Sequence, residues 1–600
     1  MKRILTLRTL IGALVVVLLL GGALALDLAN HGLVWQFFWS QTGEEAPLAQ
    51  IRAMIELPGN LLRPQPNTAP LTPIQHNGYS PYGINTFLNL EAESAKREEQ
   101  LRMIAAAGFT WIRQQFPWED IEVDGRGQFT DSRNDHDGDG QADTISAWDK
   151  YDEIVSLAEQ YGLTIQVRLD NPPAWTHANP DIGSFAPPDD IQDYVNYAVA
   201  VATRYQGRLR FYQIWNEPNI YPEWGEQAVN PEAYSELLCR TYDALKAVDP
   251  NIVVISAAMA PTIALTGRDL NDFIYLQRMY DAGAGDCFDV MSVNGYGLNS
   301  GPTDRRMRPT TITFARNLYI RDIMVANGDA DKPIWISEAA WNPVPDDPSI
   351  NNPLAFGRVT PEQAARYMPL GYERAQQEWP WVGVIFYWFF TRPDDSWRTQ
   401  PQYYFRMVEP DYSAEHPTFT PLPIYESMRA YIQSHQQAVL YPGVYQAEDW
   451  RVTLADDAQV REVEGAQFGQ AVDTTSVEFT ASGTSVMVQW YGEVPVGSAI
   501  NLGVLIDGVP YISLEGTYRT YSDNQWHILW IPLSGTQTIS MSISARTFTG
   551  QSVEDQTRRF IDTIAVINFN GYFPLIFGVL AVVVWFVGSV AWVQWERRRR

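Results

Sequence analysis

Between about residues 78 and 436 the chain alternates two textures. Short, β-prone apolar runs give way to longer stretches whose apolar positions recur every three or four residues. The short runs are YGINTFL (82–88), FTWIRQQ (109–115), LTIQVRL (163–169), LRFYQIW (209–215), NIVVISA (251–257), FDVMSVN (288–294), KPIWISE (332–338) and WVGVIFYW (381–388). Between them lie helical patterns such as REEQLRMIAAAG, WDKYDEIVSLAEQYG, IQDYVNYAVAVATRYQG and PEAYSELLCRTYDALKAVDP, several of which stop on Gly or Pro. Strands alternating with helices predict βα units and a parallel sheet, and eight units in about 350 residues suit a (β/α)₈ barrel. The alternative is a doubly wound open sheet, which usually carries a GxGxxG turn after an early strand. No such turn is present there.

Beyond residue 440 the texture shifts again. VYQAEDWRVTL, SVEFTASGTSVMVQWYG, AINLGVLIDGVPYISL and WHILWIPLSGTQTISMSIS alternate strand and turn signals with little helix, which predicts an antiparallel β-sandwich over 441–568. Both ends carry apolar runs. Met1-Lys2-Arg3 precedes an uncharged stretch from Thr9 to Leu26, so 1–26 reads as a signal peptide or a retained signal anchor. The run 572–595 has no charged residue, is bordered by Tyr572 and Trp595, and leads into a basic tail, 596–600. It is expected to be a transmembrane helix with its tail in the cytoplasm. Residues 27–77, punctuated by Pro58, Pro64, Pro66, Pro70 and Pro73, are expected to be a stalk. A short helix near 48–57 is followed by extended linker. The expected fold class is therefore α/β, a TIM barrel followed by a jelly-roll-like β-sandwich with terminal transmembrane segments. The expected location is the cell membrane, with the barrel extracytoplasmic.

Composition narrows the function. A formal charge of −27 over 600 residues should repel nucleic acid and acidic polymers, whereas a neutral sugar would not be repelled. The 21 Trp suit a protein that stacks flat apolar faces. The seven His show no HExxH or HxH spacing, which argues against a zinc hydrolase. The two cysteines, Cys239 and Cys287, leave one bridge or two buried thiols open.

Barrel chemistry gathers where strands end. Glu217 follows the fourth run in WNEPN (215–219), and Glu338 closes the seventh in PIWISEAAWN. Three βα units separate them, so closure of a barrel sets them facing across its mouth. Two facing carboxylates are what glycosidic bond cleavage needs, one protonated to release the leaving oxygen and one charged to meet the anomeric carbon. Two structural acids paired with arginines is the plain alternative.

On WNEPN and the strand-seven Glu, the segment resembles the superfamily of retaining (β/α)₈ glycoside hydrolases with catalytic Glu on strands four and seven, the cellulase-like and β-xylosidase-like enzymes. The resemblance implies Glu217 as acid/base and Glu338 as nucleophile. It implies Asn216 on the sugar 2-hydroxyl, Arg113 orienting Glu338, Tyr296 donating to Glu338, and Trp388 as floor of the sugar subsite. Many relatives carry His two residues before that Tyr; here the position is Asn294. Arg113 beside Glu338 favours its charged form, and a charged Glu338 favours the protonated form of Glu217. No cofactor is implied for the reaction.

Asp170, Asn171, Trp175 and His177 follow strand three and are expected at the mouth, with Trp224, Trp341 and Trp397 as candidate stacking surfaces. NDHDGDGQADT places Asp135, Asp137, Asp139 and Asp143 around Gly140. A structural calcium ion and a solvated acidic turn both remain open, since Ser146 stands where an EF-hand has its bidentate Glu. In the sandwich, Trp490, Tyr491, Tyr518, Tyr521 and Trp526 are either a sugar platform or parts of a spacer that resembles carbohydrate-binding modules. These readings converge on a membrane-tethered glycoside hydrolase acting on a β-linked poly- or oligosaccharide, with the bilayer as second partner and nucleic acid as none. The alternatives are a non-catalytic polysaccharide sensor, or a transglycosylase with the same site.

Overall fold

Eight parallel strands form the first unit: β1 (Tyr82–Thr86), β2 (Trp111–Pro117), β3 (Thr164–Asp170), β4 (Phe211–Ile214), β5 (Val253–Ile255), β6 (Met291–Asn294), β7 (Ile334–Ala339) and β8 (Val382–Tyr387). They are seen in a computed structural model that describes residues 2–133, 141–411, 418–435, 438–511, 518–521 and 525–568. The ladder runs β5-β4-β3-β2-β1-β8-β7-β6. Parallel bridges Ile255–Val290 and Met259–Val293 join its two ends, so the sheet closes into a barrel. A helix follows each strand in turn. The strands are buried along almost their whole length, which is why they read as apolar runs and not as alternating ones.

The barrel interior is layered. At the amino ends of the strands, Trp111, Phe211, Trp335, Val384 and Phe386 form an apolar plug, and Tyr79 meets Trp111, Phe211 and Trp335 edge-on at 5.5–5.9 Å. Above it lies a hydrogen-bonded polar layer. Gln213 Nε2 donates to Ser292 Oγ (3.0 Å) and Ser337 Oγ (3.3 Å), and Gln166 Nε2 donates to Gln213 Oε1 (3.1 Å). Those side chains are fully buried, and their mutual bonds offset the cost of desolvating them. The charged site rests on this layer.

The segment expected to be a stalk is largely folded onto the barrel. The amino-terminal helix α1 (Lys2–Ala29) is followed by α2 (Leu33–Thr42) and α3 (Pro47–Glu56), which are tied together by Trp35 Nε1 donating to Glu45 O (2.9 Å). Arg306, in the loop after β6, donates to Thr42 O (3.0 Å), Glu44 (2.7 Å) and Glu56 (3.2 Å). Glu45 accepts from Tyr367 (2.6 Å), Gln363 (3.0 Å) and Arg366. Gly43 (φ +64°) and Gly301 touch backbone to backbone, so a Cβ at Gly301 would lie 2.7 Å from Gly43 O. The prolines signalled irregular chain, but the ion pairs that dock it come from residues about 250 and 320 positions away, beyond the reach of local pattern. Even the proline-rich part is held, Arg321 Nε donating to Thr68 O (3.0 Å) and Gln75 N to Asp331 O (3.0 Å).

Among the described residues no single helix is long and apolar enough to cross a membrane. Leu14–Ala29 and Leu33–Thr42 reach that length together, bent by 69°. The expected transmembrane run 572–595 and the tail lie outside the described residues. Cys239 and Cys287 form a disulfide joining the helix Pro231–Val248 to the short turn before β6.

The second unit is an antiparallel sheet domain. Its long strands are β9 (Ser476–Glu493), β10 (Ser498–Ile506), β11 (Trp526–Thr547) and β12 (Arg558–Ile567). β9 pairs with β11 from Ser476–Ser542 to Tyr491–Trp526, and again with β12. Its apolar face closes over Val477, Phe479, Val488, Leu529, Ile531 and Ile564. Trp490 belongs to this core, 1% exposed and stacked on His527, because inward-facing positions of β9 alternate and Trp490 falls on the inner set. It is therefore no sugar platform. Tyr491 and Trp526 lie 5.2 Å apart and half-buried, and Tyr518 and Tyr521 lie on a short strand beside β10.

Candidate active site

The chain leaves β4 through a tight, partly left-handed path. Trp215 (φ +74°) and Glu217 (φ +38°) both adopt conformations disfavoured for side-chain-bearing residues, a strain of order 1–3 kcal/mol each that concentrates at functional sites. Neighbouring strands hold the path. Trp215 N donates to Leu169 O (3.0 Å) and Glu217 N to Ala258 O (3.0 Å), while the Asn219 side chain exchanges two hydrogen bonds with Ala260 (2.8 and 2.9 Å). Asn219 is thus the structural clamp of WNEPN, and Asn216 and Glu217 are turned inward.

Glu338 lies next to last in β7 and is 4% exposed. Arg113, near the middle of β2 and 2% exposed, is the hub of the site. Its Nη1 donates to Glu338 Oε1 (2.9 Å) and Asn85 Oδ1 (2.9 Å), its Nη2 to Asn216 Oδ1 (2.7 Å), and its Nε to Gln213 Oε1 (2.7 Å). The phenol of Tyr296 donates to Glu338 Oε2 (2.6 Å). Both Glu338 oxygens therefore face strong donors. Burial, then the charges of Glu338 and Glu217, push the Tyr296 phenol well above its ordinary value, so it remains a donor.

Glu217 has the opposite surroundings. Burial first, then the charges of Glu338 and Glu223, raise it well above the ordinary carboxylate range. One of its oxygens accepts from Asn294 Nδ2 (2.6 Å). Asn294 thus faces the acid, and its own Oδ1 has no partner among the described residues. One carboxyl group is shifted toward its protonated form beside another met by a guanidinium and a phenol, a pairing suited to acid and nucleophile.

The remaining expected residues divide into three groups. Trp388 stays half-buried just past β8, edge-on to Phe87 at 5.5 Å. Asp170, at the end of β3, accepts from Gln115 (2.7 Å) and pairs with Arg168 Nε (2.8 Å); burial raises it above the usual range. Asn171 (φ +52°) bridges Gln115 and Glu119, each at 3.2 Å. Trp175 leans edge-on against Trp118 with its Nε1 on Glu122 O (3.0 Å). Trp341 is a correction. It is 1% exposed, donates to Ser300 O (2.7 Å) and packs on Phe314 and Tyr367, the latter on the helix after β7, so it belongs to the layer between strands and helices. Trp224 is likewise buried, against Trp215 and Tyr234. A loop after a strand can turn over the mouth or back toward the helices, and strand-end position alone does not say which. Of the calcium candidates, Asp135, Asp137 and Asp139 lie outside the described residues. Asp143 lies inside them, where no cluster of potential metal ligands occurs.

Three contributors escaped the sequence reading. Glu223 accepts from Asn216 Nδ2 (3.4 Å) and is raised to about 7, chiefly by burial and further by Asp170 and Glu338, with Arg168 opposing. Arg168 lines one small cavity with Arg113, Gln115, Phe87 and Trp388. Arg392, in the loop after β8, lies over the Phe87 ring at 3.6 Å. Glu223 stood in the same acidic, aromatic stretch as Glu217, but an acid in a turn carries no local mark of burial.

No family model and no curated protein matches the chain in sequence. Among solved structures it is similar to a family 39 glycoside hydrolase from the gut symbiont Bacteroides cellulosilyticus WH2, at 16% identity over 78% of this chain and 82% of that one, TM-score 0.43. It is similar to a GH39 enzyme from Xanthomonas axonopodis pv. citri, at 14% identity over 81% and 98%, TM-score 0.41. It is also similar to a monomeric β-xylosidase from Caulobacter crescentus CB15, at 13% identity over 80% and 97%, TM-score 0.40.

Proposed function

We propose that the protein is a glycoside hydrolase that cleaves a β-linked poly- or oligosaccharide with retention. The observation that carries this reading is the asymmetry of the two strand-end carboxyl groups. Glu217 is raised by burial and by its partner's charge, while Glu338 accepts from Arg113 and Tyr296. Glu217 gives its proton to the leaving oxygen as a Glu338 oxygen bonds to the anomeric carbon. Formation of that ester removes the charge that helped to hold the proton on Glu217. Glu217 then takes a proton from water, which displaces Glu338 and restores both groups. Atoms and protons balance with two carboxyl groups and one water. Asn216, fixed by Arg113 at its oxygen, offers Nδ2 toward the sugar 2-hydroxyl, and Trp388 is the stacking floor. Asp170, Asn171 and Trp175 border the cleft.

We infer further that the enzyme works outside the cytoplasm, tethered to a membrane. The apolar runs from Thr9 to Leu26 and from Tyr572 to Trp595 would anchor it, and the Cys239–Cys287 bridge agrees with an oxidising compartment. The Asp135–Asp143 loop retains a proposed calcium site of structural kind only.

The test uses the full chain in detergent, screened against aryl β-glycosides and polysaccharides beside Glu338→Ala and Glu217→Ala. The expected result is turnover by wild type with first-formed product of the same anomeric configuration by NMR, a dead Glu338→Ala, and azide rescue of Glu217→Ala with activated substrates. Unchanged turnover in both variants would sink the assignment.

A further inference from the structure

Arg392 is a cation with no anion paired to it among the described residues. It is partly buried in the loop after β8, with its guanidinium 3.6 Å from the Phe87 ring centroid, 4.8 Å from Trp397 and 5.2 Å from Phe389. Among the described residues none accepts a hydrogen bond from its guanidinium, and no carboxylate lies within ion-pair distance. Buried or half-buried guanidinium groups ordinarily find an acceptor, because five N–H donors removed from water cost free energy. Aromatic faces compensate the charge only in part.

The acids around it are committed elsewhere. Glu338 is held by Arg113 and Tyr296. Asp394 bonds the Ser396 backbone. Arg168 adds a second, partly used cation, 13% exposed, that engages Asp170 through Nε alone. It lines the cavity that Phe87, Trp388 and Arg113 share, and Phe87 is the ring on which Arg392 lies. Burial first, and then the positive charge of Arg168, draw Arg392 down to about 10. Arg168 lines that cavity beside Trp388, the expected sugar floor, and Arg392 lies on Phe87, which meets Trp388 edge-on at 5.5 Å.

We propose that the cleft takes a glycan whose sugar on Trp388 carries an anionic substituent, a carboxylate or a sulfate ester, held by Arg392 and Arg168. This rests on the glycosidase reading of the same site. The planar guanidinium fork matches either anion, and Arg is the residue suited to it. The overall charge of −27 is no obstacle at this range. Charges farther off than about 10 Å are screened at ordinary ionic strength, whereas Arg168 lines the cavity itself and Arg392 lies on its Phe87 wall.

The test compares matched glycans. Uronic-acid oligosaccharides are set against the same chains after carboxyl reduction, and sulfated oligosaccharides against desulfated ones, with full-length wild type, Arg392→Gln and Arg392→Lys. A charge-assisted hydrogen bond corresponds to about a ten- to hundredfold preference. Wild type is expected to favour one anionic form over its neutral counterpart by that factor in kcat/KM, and which form identifies the anion. Arg392→Gln should lose at least tenfold of the ratio, and Arg392→Lys should keep most of it, with circular dichroism unchanged. Equal or better hydrolysis of the neutral forms by wild type overturns the anionic subsite and leaves the hydrolase reading intact. If no glycan is cut, calorimetric titration of the same oligosaccharides into Glu338→Gln decides. Anion-selective binding that Arg392→Gln abolishes in that background upholds the subsite without the hydrolase. No binding, or binding indifferent to Arg392, overturns it.

Discussion

Replacing Arg113 by Met removes a guanidinium that sits at the crossing of four hydrogen bonds in a site closed to water. Met fills much of the stem's volume, so packing changes little and electrostatics dominate. Glu338 loses its only ion-pair partner among the described residues, at 2.9 Å, and keeps Tyr296 alone. Leaving one member of a buried pair behind costs about 3–5 kcal/mol. Asn85 Oδ1 and Asn216 Oδ1 also lose their donor, adding about 1 kcal/mol each, whereas Gln213 Oε1 keeps Gln166. The sum, roughly 5 kcal/mol or more, is comparable with the whole stability of many domains. Equilibrium urea denaturation at pH 7 measures it, and a double-mutant cycle with Glu338→Gln isolates the pair. In Arg113→Met/Glu338→Gln no carboxylate is left uncompensated, so that variant should be more stable than Arg113→Met by about 2 kcal/mol. Costs that simply add, to within about 0.5 kcal/mol, would show that Arg113 acts through shape and not through its charge.

Other consequences are checked more briefly. Glu217 is raised above the ordinary carboxylate range, so activity should fall as pH climbs through its titration; Glu223 raises it further, so Glu223→Gln should move the alkaline limb of kcat/KM to lower pH, and an unmoved or upward-moved limb contradicts the coupling. Trp341→Ala should destabilise the barrel by about 3–5 kcal/mol with KM unaltered at permissive temperature, whereas Trp388→Ala should raise KM at little cost in stability. Gly301→Ala forces its Cβ onto Gly43 O and should loosen α2 and α3, read as faster proteolysis within residues 33–62, at about 1–3 kcal/mol. The same docking should weaken in acid. Burial pushes Glu45 up, but bonds from Tyr367, Gln363 and Arg366 leave it below the ordinary 4.5. Its contribution is therefore complete above that value and lost as pH falls through the lowered one, and proteolysis between pH 6 and 3 should follow it.

Local pattern was enough for the eight βα units. A strand buried on both faces and a helix buried on one have different apolar periods, and both are written in consecutive residues. It was enough to put Glu217 and Glu338 at strand ends, which barrel topology brings together. Direction and partnership needed closure of the fold. Trp388 and Trp341 both follow barrel strands, yet one remains at the mouth and the other turns back under the helix Pro361–Glu378. The Gln166, Gln213, Ser292 and Ser337 layer was hidden because polar residues inside a strand look like defects until their partners on other strands are known. Residues 33–62 read as a stalk because Arg306, Tyr367 and Arg366, which hold them, lie about 250 or more positions later. Glu223 and Arg392 look like ordinary surface charges for the same reason. A side chain's burial, and whether an opposite charge waits beside it, are properties of contacts between distant segments, and no stretch of sequence holds them alone.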